Sequence, residues 1–371
     1  MEDSIKNIFA VNLGVKKSEK VVVCTDIIRE GEKVSRKDRI KRKELREIAG
    51  KAALAGKDFS SVEYLEFPSV MGHGKEPPIE AWMACFGDKA VGAMEKARLL
   101  EKLLAKSAGP EEIKAAEEII SKEGRTPDAV IALSNFSTSH TRFRDFLTRL
   151  KRVRYASMPL FEKTMLDSVM TADWEAVKRR TLNVVAKMSG CDMVYVTSHN
   201  GTSVSFSIKD RPITADTGII TEPGSFGNLP AGEAFLAPVE GTAQGLLVLE
   251  WGPDGKLRSP IELEIKKGRV AAIDGRGKVA DDIRGKIEEN PLAGNIAELG
   301  IGTNDKASRP NNILETEKIL GTAHIALGDN SSFGGKVSVP FHQDFVFFRP
   351  NLEVLRGEEK IEILVEGEPR F

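Results

Sequence analysis

The first half of the chain alternates short apolar runs with helical stretches, and this wiring restricts the fold more than any other feature. The runs are Lys20–Asp26 (KVVVCTD), Val62–Phe67, Asp128–Leu133, Val153–Met158 and Cys191–Thr197. Short apolar runs that close on polar residues read as buried parallel strands, with any function at their carboxyl ends. Ile5, Ile8, Phe9 and Leu13 fall near helical spacing and stop at Gly14. Residues 41–56 read as a helix ending at Gly56, and helix returns from Ile79 to about Lys122. Gly109-Pro110 divides that stretch: Pro110 suits the first position of a new helix, with Glu111 and Glu112 in its first turn. Further helices are expected at 141–151 and 173–190. Strand, helix, strand is α/β wiring.

From Ser198 onward the texture changes to short alternating runs: Ser203–Ile208, Gly232–Pro238, Gly245–Trp251, Ile261–Ile265 and Arg269–Ile273. Pro253-Asp254-Gly255 reads as a hairpin turn between two of them, and one helix is expected near Val279–Glu289. The expected organisation is therefore α/β plus α+β. A parallel-sheet α/β domain over residues 1–198 precedes a β-rich domain over 199–371 that carries a metal site.

With 371 residues, 41% hydrophobic and 29% charged, the chain is long enough for two such bodies with real cores. A net charge of −1 gives no global field for nucleic acid or an anionic membrane, and the basic run Arg36–Arg46 is broken by acids. It reads as a solvated helix face. No window approaches the roughly 20 apolar residues of a membrane span. The start, MEDSIKNIFA, has early acids and no long apolar stretch, so no signal peptide is read. Cys24, Cys85 and Cys191 are scattered and lack CxxC spacing, as buried thiols in a reducing compartment would be. The expectation is a cytoplasmic protein with no nucleic-acid or membrane partner.

Chemistry concentrates in Glu315–Asp344, a Gly-rich stretch holding His324, His342 and Asp344. The first two of these are two of only five histidines in the chain. On an extended strand, His342 and Asp344 project to one side, and His324 precedes an apolar run that also reads as strand. Two strands side by side would bring two imidazoles and a carboxylate together, a sensible set for Zn, Mn or Fe(II). A lone histidine in an apolar strand can equally be a hydrogen-bonded core residue, and an HxD pair alone is a weak motif. Two more acids stand in constrained settings, Glu233 after Asn228-Leu229-Pro230-Ala231-Gly232 and Glu298 within Ala297–Asn304. A glutamate buried among Ala, Leu, Ile and Gly must find a cation or a proton.

NLPAGE, AELGIGTN, GTAHIALG and FHQD, in this order, resemble the aminopeptidase T family of metallo-aminopeptidases (leucyl aminopeptidase type), as a divergent branch. The resemblance covers most of the chain, with its specific motifs in 228–344. It implies a dimer with an α/β N-terminal domain and a β-rich catalytic domain. It also implies two divalent ions (Zn, Co or Mn), and a small peptide as substrate. Glu233, Glu298, His324, His342 and Asp344 then fall on the family's metal positions, with Glu233 alternatively the general base. The resulting expectation is a hydrolase that removes N-terminal residues through a metal-activated water.

Two positions depart from the family pattern. Ser331 stands where the family has a tyrosine, followed by Ser332 and Phe333, and Ile319 stands where it has a glutamate. Glu317 or Glu315 would substitute only with a reshaped loop. The remaining His324, His342 and Asp344 match a two-histidine, one-carboxylate site for non-haem Fe(II). The 2,5-dihydroxypyridine dioxygenases resemble the same family, so iron-dependent ring opening is the alternative. There His199, in Ser198-His199-Asn200-Gly201, would serve as acid or base, with His140 and His73 weaker candidates on the same logic.

Overall fold

The computed structural model describes residues 1–253, 255–308 and 312–371. Asp254, the middle of the expected hairpin turn, lies outside them. The chain packs as two compact units, one of Met1–Trp174 with Gly218–Pro230 and one of Glu175–Thr217 with Ala231–Phe371. Among the described residues, no helix is long and apolar enough to cross a membrane. All three cysteines are buried and free.

The first unit is built on an all-parallel sheet in the order Ser61–Pro68, Lys20–Ile27, Ala129–Ala132, Arg154–Ser157, Phe226–Asn228. Ala129–Ala132 and Arg154–Ser157 are buried at every position, which is why they read as unbroken apolar runs. The Arg36–Gly56 helix is capped by Ser35, whose side chain accepts the Asp38 N–H. Its basic run is mostly exposed, as expected of a solvated face. The exception is Arg42, which is buried against Glu32 and 3.7 Å from Asp26. An aromatic cluster of Trp82, Phe86, Phe143 and Phe146 fills part of this unit's core.

The second unit stacks two antiparallel sheets. The larger runs Arg269–Asp274, Gly255–Lys266, Gln244–Gly252, Ser203–Ser207, Met193–Thr197, Asn351–Arg356, Glu359–Val365, Glu368–Pro369. The smaller runs His342–Phe347, Ala323–Gly328, Ile296–Gly302, Glu233–Leu236, Thr214–Asp216. Val194, Val196, Phe206, Leu249 and Leu263 of one sheet meet Leu299, Ile301, Ile325, Leu327 and Phe345 of the other in a common core. The fifth apolar run therefore does not extend the parallel sheet. Met193–Thr197 buries Val194 and Val196 and leaves Tyr195 and Thr197 exposed, an alternation that suits a sheet with one solvated face. Phe226–Asn228 takes the fifth place in the parallel sheet instead.

Candidate metal centre

The five-stranded sheet puts its apolar residues on one face and its acids and imidazoles on the other. Along Ala323–Gly328, Ala323, Ile325 and Leu327 enter the core, so His324 points away from it. Along His342–Phe347, Phe345 and Phe347 enter the core, leaving His342 and Asp344 on the same outer face as His324. Ala234 and Leu236 do the same for Glu233, and Leu299 and Ile301 for Glu298, after a register shift between Ile296 and Glu298. Antiparallel pairing then aligns Gly302 with Glu233, Gly300 with His324, Glu298 with Ala326, and Ala326 with Asp344. Four strands that are distant in sequence deliver their polar residues to one surface.

Small residues between them leave the space. A Cβ on Gly300 would lie 2.0 Å from His324 Nε2, so the imidazole of one strand lies over the bare backbone of its neighbour. The two imidazoles converge on a single carboxylate: His324 Nε2 is 3.4 Å from Glu298 Oε1, and His342 Nε2 is 3.4 Å from Glu298 Oε2. His324 Nε2 is also 3.5 Å from Glu233 Oε2, and His342 Nε2 is 3.5 Å from Asp344 Oδ1. His342 Nδ1 donates to the Asp329 carbonyl at 2.8 Å, which turns Nε2 toward the acids.

These spacings are long for hydrogen bonds but suit donors that share an ion. Two ligand atoms each about 2.1 Å from a metal lie roughly 3.0–3.4 Å apart at octahedral or tetrahedral angles. Donor atoms of Glu298, His342 and Asp344 lie within 4.8 Å of one another, as do those of Glu317, His324 and Asp344. His324 Nδ1 and Glu233 Oε2 are buried without a hydrogen-bond partner. The residues present thus fit a divalent cation.

Electrostatics agree. Burial alone would depress the His324 imidazolium, but hydrogen bonding to Glu298 and the charges of Glu233 and Asp344 lift it to about 9. His342 is likewise lifted well above its ordinary value against burial, chiefly by Asp344. Burial pushes the Asp344 carboxyl up, yet His342 and His324 outweigh it and bring it down to about 2. Glu298 is also lowered, by both imidazoles against the effect of burial. Burial raises Glu317 to about 8 despite Lys318. Without a metal, protons occupy the imidazoles that an ion would need.

One residue of the cluster was not singled out in the sequence. Lys318 has a side chain with 0% exposure and donates from Nζ to Glu233 Oε1 at 2.5 Å and to Glu317 Oε1 at 2.7 Å. A lysine between Glu317 and Ile319 carries no motif; only a count of acids needing a counter-charge could have pointed to it. Glu317 does reach the cluster, with a donor atom within 4.8 Å of those of His324 and Asp344. Glu233, expected as a metal ligand or general base, has Oε1 committed to the Lys318 ammonium and Oε2 facing His324 without a hydrogen-bond partner.

His199 is not part of the assembly either. It is exposed in the turn after Met193–Thr197, its Nδ1 3.4 Å from Ser198 Oγ, and among the described residues no contact joins it to the cluster. The strand before it belongs to the eight-stranded sheet, whereas the acids and imidazoles project from the outer face of the five-stranded one. His73, in the first unit, accepts the Ser137 N–H at Nδ1 and sets its edge against Phe136. Near the metal-type donors, Phe333 lies edge-on to His342 (6.0 Å between ring centres) and to Phe235 (5.6 Å).

The family model described as NicX, 2,5-dihydroxypyridine 5,6-dioxygenase, matches residues 150–356, a range that contains every residue of the cluster. A curated relative, the 2,5-dihydroxypyridine 5,6-dioxygenase of Pseudomonas putida, is 27% identical over 183 residues, covering 45% of this chain and 52% of that protein. The match therefore spans about half the length of that relative. Among solved structures, 2,5-dihydroxypyridine dioxygenase from Pseudomonas putida superposes with a TM-score of 0.69 at 19% identity, over 99% of this chain and 96% of the other. AmpT from Thermus thermophilus superposes with a TM-score of 0.58 at 15% identity, over 100% and 98%. Both likenesses are of fold. The match to the dioxygenase family overturns the expectation of a zinc-dependent aminopeptidase acting as a peptide hydrolase. What remains of the resemblance to aminopeptidase T is the architecture.

Proposed function

This chain belongs to the NicX family of 2,5-dihydroxypyridine 5,6-dioxygenases, and on that premise we propose that it is a ring-cleaving dioxygenase dependent on a divalent metal, Fe(II). The substrate class is a dihydroxylated aromatic ring of the dihydroxypyridine type. Family membership over the segment that carries all the cluster residues is the observation that supports this reading most directly. Glu298, His342 and Asp344 are proposed to hold the ion, with His324 closing the same surface. Iron bound there supplies the redox chemistry that a closed-shell ring needs in order to react with dioxygen.

The chain's own residues supply the rest. His342 is oriented by the Asp329 carbonyl, and its side chain is 32% exposed, so the donor set is open on that side. Phe333 and Phe235 form an apolar edge beside it, against which an aromatic ring can stack. His324 holds a proton at Nε2 between Glu298 and Glu233.

The test is anaerobic loading of the metal-free chain with Fe(II), followed by 2,5-dihydroxypyridine and dioxygen. Oxygen uptake matching substrate loss, with both oxygen atoms of labelled O₂ in the product, is expected. The absence of uptake in the iron-loaded protein, with this substrate and with other dihydroxylated pyridines and benzenes, would overturn the proposal.

A further inference from the structure

We infer that the Lys318 ammonium stands in for a second cation, so that this centre takes one divalent ion, at Glu298, His342 and Asp344, although its donors could hold a pair. The inference rests on the metal centre proposed above and adds what limits its occupancy. Two three-donor groups are present, and they share Asp344. A carboxylate common to both is the arrangement that would bridge two neighbouring ions. The second group draws on Glu317, and Glu317 already receives Lys318 Nζ at 2.7 Å. The same nitrogen takes Glu233 Oε1 at 2.5 Å, so one ammonium spans two acids of the cluster.

Lys318 cannot withdraw readily. Its side chain has no exposure, its backbone N–H donates to Glu315 O at 3.0 Å, and its carbonyl accepts the Asn304 N–H at 2.9 Å. A charge tethered in this way offsets one negative charge of the Glu233–Glu317 pair at every metal concentration and repels a dication that approaches it. The acids of the remaining group are left to the exchangeable ion.

The experiment uses Mn(II) as the probe. The full chain is stripped with chelator, dialysed against excess Mn(II), and its bound metal counted and examined by electron paramagnetic resonance. Wild type is expected to hold one Mn(II) with the six-line signal of an isolated ion. Lys318→Met is expected to gain a second Mn(II) and the coupled signal of a close pair, whereas Lys318→Arg stays at one. Two Mn(II) per wild-type chain overturns the inference, and so does a folded Lys318→Met that stays at one. If Lys318→Met folds only when expressed and purified in Mn(II), the ion is replacing the ammonium and the inference stands. Failure to fold under both conditions, for Lys318→Met and Lys318→Gln alike, counts against it. Metal count and catalysis fail separately. One ion without oxygen uptake overturns the dioxygenase reading and leaves the lysine's role in place. Two ions with uptake does the reverse, and a chain that binds no Mn(II) overturns both.

Discussion

Gly300 is within the cluster without being a donor, and it sets the position of His324. Because a Cβ there would lie 2.0 Å from Nε2, Gly300→Ala should drive the buried imidazole out of the surface it shares with Glu298. Divalent-metal affinity, measured by titration calorimetry, is expected to fall roughly 10–100-fold, the scale seen when a group that orients a ligand is lost. Unchanged affinity in a folded Gly300→Ala would show that this placement of His324 is irrelevant to the ion. Protonation gives a second prediction at this scale. With His324 at about 9 and His342 raised well above its usual range, an ion must displace protons near neutral pH. Affinity should therefore rise as pH climbs above neutral, with proton release visible as a buffer-dependent binding heat. The metal-free chain should behave oppositely. A raised imidazole stabilises the fold fully below its ordinary 6.5 and loses that contribution as pH climbs through about 9. Asp344, lowered to about 2, contributes above its ordinary 3.8 and loses that as pH falls through 2. The melting temperature of the chelated protein should thus decline from neutral to alkaline pH while metal affinity increases. A flat profile in both would refute the assigned protonation states.

At the scale of elements, the loop between Ala323–Gly328 and His342–Phe347 holds His342 in place. Asn330, fully buried, accepts the Val337 N–H at Oδ1 (2.9 Å) and donates from Nδ2 to Glu240 Oε1 (3.1 Å). Glu240 in turn accepts the Lys336 N–H and pairs with Arg211. Asp329, next to Asn330, provides the carbonyl that orients His342. Asn330→Ala strands these partners and should cost about 1–3 kcal/mol of stability. Because the loop positions a donor, the ion should also dissociate faster from this variant than from wild type in a chelator chase. An unaltered off-rate would assign Asn330 to folding alone. The apolar run after His324 was legible in the sequence as a strand, and so was the shared side of His342 and Asp344, since a period of two follows from extended backbone. The loop's internal bonding was not legible. Asn330 and Glu240 are 90 residues apart and carry no pattern that links them.

For the whole molecule, every donor of the centre belongs to the second unit. Metal added to the chelated chain should therefore slow hydrogen exchange chiefly in Glu233–Leu236, Ile296–Gly302, Ala323–Gly328 and His342–Phe347. Protection that appeared first in the parallel sheet would place the ion elsewhere. The sequence by itself determined the class of the fold, because burial on both faces writes unbroken apolar runs and burial on one face writes alternating ones. It also named Glu233, Glu298, His324, His342 and Asp344 as candidates for one site, through the order of the motifs that resemble aminopeptidase T rather than through any single residue. It did not separate hydrolase from oxygenase, since the aminopeptidase and dioxygenase neighbours share this architecture at low identity and chemistry is set by the site grafted onto it. Only the tertiary structure decided that Lys318 bridges Glu233 and Glu317, that His199 stands apart, and that Met193–Thr197 joins an antiparallel sheet. Each depends on pairing between distant segments, and neither composition nor periodicity along the chain encodes which charge will meet which across a sheet.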